Sequence, residues 1–202
     1  VSRRQEERMR WTSWIAAALS LLSGPALAAD RAVSVEGKSY PALVTVEGQT
    51  LKLIGAGLRE KWLVDVYLMA AYSAGGSCAP ADIIGRDEPR YLRLDMLRDV
   101  SAEKMAGTIS DSFEEHMPKN ASDELRRQRK AFQGYFKDEC SKGTVLEFIY
   151  LPGTGTLMKQ NGKLLGPALE GFDFARVLWD IYFGRDTCCK DLKTDILKTC
   201  RG

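Results

Sequence analysis

The sequence predicts an α+β fold, with a large antiparallel sheet covered by helices on one face. Three observations predict it. Apolar and polar residues alternate in short runs over residues 33–72 and 91–97, and strand-like sequence returns over 144–165. Two amphipathic helical stretches separate those blocks, and two more close the chain. At the centre, residues 51–72 (LKLIGAGLREKWLVDVYLMAAY) read as two adjoining strands around which the rest is organised.

The chain has 202 residues, 45% hydrophobic and 28% charged, which is one domain of ordinary size with the composition of a soluble globular protein. A net charge of +2 gives no electrostatic case for nucleic acid as a partner. Residues 1–28 read as a signal peptide. Arg3, Arg4, Arg8 and Arg10 make the positive region, residues 11–22 the apolar one, and Ala26-Leu27-Ala28 the cleavage site. Met9 offers an alternative start, which makes residues 1–8 an over-extended reading. The apolar run is about a dozen residues, too short to span a bilayer comfortably. Export and a mature domain over residues 29–202 are expected.

Within that domain, residues 33–35 and 42–46 are expected as short strands separated by Gly37 and Pro41, and Glu47-Gly48-Gln49 turns the chain into the central hairpin. Gly55 and Gly57 sit two apart on one face of its first strand, where a missing side chain lets another group approach closely. Arg59 follows at once. Trp62, Val64, Val66 and Leu68 are expected on one face of the second strand, with Leu63, Asp65, Tyr67 and Met69 on the other. A cation beside two glycines and an apolar strand either snorkels to water or meets an anion, because an unpartnered buried guanidinium costs several kcal/mol. Arg59 is therefore either a rim residue at a hairpin end or an anchor for a ligand's carboxylate or oxyanion.

Residues 73–80 (SAGGSCAP) form a loop by composition, and residues 91–97 alternate again as a strand. Ser101 is a plausible N-cap for a helix in which Met105, Ile109, Phe113 and Met117 recur every fourth residue, and Pro118 closes it. Ser122 opens the next helix, whose buried side carries Leu125, Phe132 and Phe136. Its Arg126, Arg127, Arg129 and Lys130 read as a solvated face, with weak contact to an anionic membrane surface as the alternative. Residues 144–150 return to strand. Pro152-Gly153-Thr154-Gly155 is a turn and not a phosphate loop, since no Gly-Lys-Ser/Thr and no helix follow. Asn161-Gly162, between residues 156–160 and 163–165, is the strongest hairpin signal in the chain. Phe174, Leu178, Ile181 and Tyr182 share one face of a helix ended by Gly184, and Leu192, Ile196 and Leu197 pattern the last.

Catalytic and metal chemistry finds little support. The single histidine, His116, stands beside Glu115 near the polar end of an amphipathic helix and has no second histidine for a metal site. No metal or cofactor is expected. Export implies bridging among Cys78, Cys140, Cys188, Cys189 and Cys200, with at least one left over. A vicinal Cys188–Cys189 bridge is uncommon, and a helix would hold Cys188 roughly 18 Å from Cys200. Cys78 and Cys140, both in loop-like sequence, are the preferred pair.

The run Gly55-Ala56-Gly57-Leu58-Arg59, followed by Val66-Tyr67 and Ala71-Tyr72, resembles the chalcone isomerase family, and most closely its bacterial, periplasmic chalcone isomerase-like branch. The likeness continues through Tyr91-Leu92-Arg93-Leu94, residues 151–156 (LPGTGT), Phe174-Ala175-Arg176, Trp179, Gly184 and Asp191-Leu192-Lys193, in order along nearly the whole mature chain. It implies an open-faced β-sandwich with helices on a large antiparallel sheet. In the plant enzymes an arginine, a threonine, a tyrosine and an asparagine serve the cyclisation. The resemblance places these on Arg59, Tyr67, Met105 and Ser112. Methionine cannot donate a hydrogen bond and serine reaches less far than asparagine, so only the cation survives. The pattern looks more like the family's non-catalytic fatty-acid-binding members, in which the arginine meets a carboxylate and an apolar cleft takes the tail. The expectation is an exported protein binding a fatty acid or similar amphiphilic carboxylate through Arg59, Tyr67, Met105 and Ser112. The alternatives are an isomerase or lyase with Arg59 and Tyr67 as catalytic candidates, and an envelope protein with a vestigial pocket that acts through a protein partner.

Overall fold

The computed structural model describes residues 32–200. The leader expected at residues 1–28 lies outside them. A small hairpin of β1 (Val33–Val35) and β2 (Lys38–Tyr40) precedes a seven-stranded sheet of β3 (Leu43–Val46), β4 (Gln49–Lys61), β5 (Val64–Ser73), β6 (Arg90–Met96), β7 (Val145–Leu151), β8 (Gly155–Gln160) and β9 (Lys163–Leu164). Each strand pairs antiparallel with its sequence neighbours, so the sheet is a meander. Helices α2 (Ala102–His116) and α3 (Asp123–Gln133) connect β6 to β7, and α4 (Phe172–Phe183) and α5 (Lys190–Thr199) follow β9. The α+β expectation holds.

Alternation divides the strands between two cores. Tyr67, Met69 and Ala71 of β5 face the helices, and Leu68, Ala70 and Tyr72 face the β1–β2 hairpin. A bulge between Leu53 and Gly55 shifts β4 by one residue, which is why Ile54 joins the helix-side core and Ala56 the other. The helix-side core is held by Phe113, Phe132 and Phe174 from three helices, with ring centroids 4.7 Å apart for Phe113–Phe174 and 5.1 Å for Phe132–Phe174. Both expected caps form: Ser101 accepts from the Lys104 amide and Ser122 from the Leu125 amide. On the opposite face Asp95 accepts from Lys38 at 2.6 Å, from Tyr40 at 2.8 Å and from Arg93 at 2.9 Å.

Three expectations are corrected. Trp62 and Leu63 are not strand residues. They form the two-residue turn of the β4–β5 hairpin, both with positive φ, and the second strand begins at Val64. Cys78 pairs with Cys200 and not with Cys140, at a Cα–Cα distance of 5.7 Å, and Cys188 bridges its neighbour Cys189. Cys140 does lie in the connection between α3 and β7, but its backbone bridges Val100, its side chain is buried and unbridged, and burial raises its thiol to about 11. Cys200 reaches Cys78 because α5 runs back along β4 to the loop beyond β5. Finally, a short helix α1 (Pro80–Gly85) was not expected. Pro80 at its start suits a position where the amide has no helical partner.

Candidate functional site

The Gly-x-Gly run is a seat for α5. A Cβ on Gly55 would stand 2.1 Å from the Ile196 carbonyl oxygen, and one on Gly57 would stand 2.9 Å from the Asp195 Cβ. The close approach anticipated there is thus filled by a helix of this chain. The Ala56 amide donates to Thr199 Oγ1 at 3.3 Å, and the Cys78–Cys200 bridge ties down the helix end. With β4 fixed in this way, its next inward-facing side chain is Arg59.

Arg59 stands directly across from Tyr67 in the β4–β5 register. It is half-buried, and its Nη1 donates to the Glu60 carbonyl at 2.5 Å. Among the described residues no carboxylate comes within ion-pair distance of its guanidinium. Tyr67 is 9% exposed, and Tyr182, from the last turn of α4, is 8% exposed. Burial raises the Tyr67 hydroxyl above its ordinary value, against the opposing pull of Tyr182 and Arg59. Burial, and then Tyr67 itself, raise Tyr182 well above. Both phenols therefore stay protonated at neutral pH. One cation and two neutral hydroxyl donors converge, a set that can hold a carboxylate or an oxyanion.

The α4–α5 turn frames the same corner. Thr187 Oγ1 donates within 2.8 Å of the Ile181 carbonyl and 2.9 Å of the Tyr182 carbonyl, which fixes the end of α4, and Cys189 of the vicinal bridge is buried in the helix-side core. Met105 of α2 packs in the core that holds Tyr67 and Tyr182. Ser112 is half-buried on α2. Its hydroxyl makes no hydrogen bond among the described residues, while its carbonyl accepts from His116 Nδ1 at 2.7 Å. Arg59 and Tyr67 are thus brought together, Met105 contributes an apolar wall, and Ser112 stands in no polar contact with them. Tyr182 was read only as part of an apolar helix face. A hydroxyl in a stripe otherwise of Phe, Leu and Ile was the signal that it needed a polar neighbour.

Arg90 was also missed, and it is buried more deeply than Arg59. It is 1% exposed, with its guanidinium carbon 5.2 Å from the Phe172 ring centroid and 5.5 Å from that of Trp179. Nη1 donates to the Ile83 carbonyl and, at 3.1 Å, to that of Ile84, so it closes the end of α1. Burial lowers Arg90 to about 10, with Glu88 and other neighbouring acids opposing the shift. Elsewhere, an open groove of about 440 Å³ runs between β1, β4 and α5; Ala56, Asp195 and Lys198 line it and Arg59 does not. No group of three His, Cys, Asp or Glu able to hold a metal occurs among the described residues.

No curated protein matches the chain. Among solved structures it is similar to the Arabidopsis thaliana fatty-acid binding protein AtFAP1, with a TM-score of 0.66 and 18% sequence identity over 84% of this chain and 97% of that one. At that identity the likeness establishes the fold. The family model described as chalcone isomerase-like matches residues 32–198, essentially the whole described domain. The chain belongs to the chalcone isomerase-like family.

Proposed function

We propose that the protein binds a fatty acid or similar amphiphilic carboxylate without transforming it, and that it does so in an oxidising compartment, the periplasm. The observation that carries this reading is Arg59: a half-buried guanidinium, free of any carboxylate among the described residues, facing two protonated phenols. The ligand's carboxylate accepts from Arg59 and Tyr67, and its tail packs against the apolar wall that includes Met105, with Ser112 further along the same helix. AtFAP1, of the same fold, is described as a fatty-acid binding protein, which supports the ligand class. Two disulfides support an oxidising compartment, and the leader-like residues 1–28 support export.

A charge-assisted hydrogen bond contributes about 1.5–3 kcal/mol, and burial of the tail supplies most of the rest. Native mass spectrometry of detergent-free protein beside Arg59→Ala tests the reading. The expected result is a co-purifying fatty-acid mass that the variant loses. Bare protein in both samples, with no shift on adding fatty acids, sinks it. The position of the Tyr67 hydroxyl across from Arg59 favours a second reading, proton donation in an isomerase or lyase step on an oxyanion held by Arg59. Turnover of a candidate substrate that disappears in Tyr67→Phe is its signature.

A further inference from the structure

Four two-residue turns among the described residues carry positive φ at both positions, the geometry that favours Asn-Gly and its relatives. Three follow the rule: Glu36-Gly37, Glu47-Gly48 and Asn161-Gly162. The fourth is Trp62-Leu63, with φ of 55° and 60°. A bulky residue in this region costs about 1 kcal/mol or more, and here two stand in succession. Nothing in the fold recovers that cost, since Trp62 is 87% exposed and Leu63 93%, and Val64 beside them is exposed as well. Two large apolar side chains are held out at the tip of the β4–β5 hairpin.

We propose that this tip is a lipid-interface anchor that sets the mouth of the Arg59 site at the headgroup level of a phospholipid bilayer. Size decides between the possible occupants. Trp62 and Leu63 together offer about 400 Å² of surface, roughly half of what one partner contributes to a stable protein interface. Their shape is convex and narrow. That suits insertion of a tryptophan and a leucine among acyl chains, with the indole N–H left at the polar boundary. Charge defines the surface. Arg59 and Lys61 offset Glu60 and Asp65, so the tip carries no net charge and does not depend on anionic lipid.

Depth links the tip to the site. Below the turn the register runs Lys61 with Val64, Glu60 with Asp65 and then Arg59 with Tyr67. At about 3.3 Å per residue, Arg59 lies roughly 10 Å behind Trp62. Apolar elements that lie in a bilayer interface enter by about 5–10 Å, which leaves Arg59 and Tyr67 where the carboxylate of a membrane-dissolved amphiphile sits. The docking claim stands on the hairpin alone; its use for ligand transfer rests on the carboxylate reading above.

The test reads Trp62 itself. The chain has tryptophans at 11, 14, 62 and 179, and Trp179 is buried. In full-length protein carrying Trp11→Phe and Trp14→Phe, Trp62 is titrated with phosphatidylcholine vesicles bearing a nitroxide either near the headgroup or deep in the chain. The expected result is a blue shift of its emission, with quenching about twofold stronger from the shallow nitroxide. Leu63→Ser and Leu63→Gly, the latter relieving the turn, should each weaken that response about fivefold, by loss of leucine burial. Arg59→Ala should keep the vesicle response and lose carboxylate binding. Trp62 emission unchanged by vesicles overturns the proposal even if the chain sediments with them. So does concentration-dependent self-association without lipid that Leu63→Ser abolishes. If Trp62 inserts but the protein takes up no carboxylate, the anchor stands and the ligand reading fails.

Discussion

Arg59 and Arg90 point to opposite ends of the same sheet and have opposite fates. Arg90 is paired with Ser73 at one end of β5 and with Tyr150 across β7, and it is enclosed by α1 and two aromatic rings. Arg59 sits at the other end, across from Tyr67, half open and, among the described residues, without an acid. At the Arg90 end the guanidinium's work is internal: it satisfies helix carbonyls and fills volume. At the Arg59 end the strands run on into an exposed apolar turn, and the guanidinium is half open to solvent beside two buried phenols. One cation holds the fold together and the other is available.

That contrast is broken or sharpened by substitution. The largest effect should come from Arg90→Ala, which opens a cavity and strips two carbonyls of their donor. We expect a loss of about 3 kcal/mol or more in urea unfolding, and a smaller loss for Arg90→Met, which keeps the volume. Equal tolerance of alanine at both arginines would erase the distinction. Gly55→Ala should follow, at about 2–3 kcal/mol, because its Cβ meets the backbone of α5 and not a movable side chain. It should also displace α5 from β4, which amide exchange across residues 190–199 would report.

Asp95, on the hairpin face, gives the pH dependence. Burial alone would raise its carboxyl, but hydrogen bonds from Arg93, Lys38 and Tyr40 outweigh burial and hold it below the ordinary value. A depressed folded-state value means stabilisation that is present above the unfolded value, about 3.9, and lost as pH falls through the folded one. Unfolding free energy should therefore drop below about pH 4 in the wild type and drop less in Asp95→Asn. The smallest effect belongs to the tip. Replacing Trp62-Leu63 by Asn-Gly should raise stability by about 1 kcal/mol, since the turn gains compatible residues and loses no packing.

The sequence carried much of this architecture because periodicity and caps act locally. The strand blocks, the stripe from Met105 to Met117 and the caps at Ser101 and Ser122 all appear where local pattern placed them. What it could not carry depends on distant chain returning. The Gly-x-Gly run announces a close approach without naming its partner, and the partner is α5, some 140 residues on. The Cys78–Cys200 bridge, 122 residues apart, has the same origin. Arg90 and Arg59 look alike in sequence, each a cation next to an apolar strand, and only packing of α1 and α4 separates them. Trp62-Leu63 was misplaced because an alternating apolar run continues through it, and turn chemistry usually forbids such residues there.

The central claim is that Arg59 recognises a carboxylate. It is tested most directly by calorimetric titration with a fatty acid and the fatty alcohol of the same chain length, against wild type and Arg59→Ala. The tail is common to both ligands, so the headgroup preference isolates the arginine. Wild type should prefer the acid by about ten- to a hundredfold, corresponding to about 1.5–3 kcal/mol, and Arg59→Ala should bind the two alike with its unfolding free energy unchanged. An acid preference that survives in Arg59→Ala would contradict the claim and place the carboxylate elsewhere.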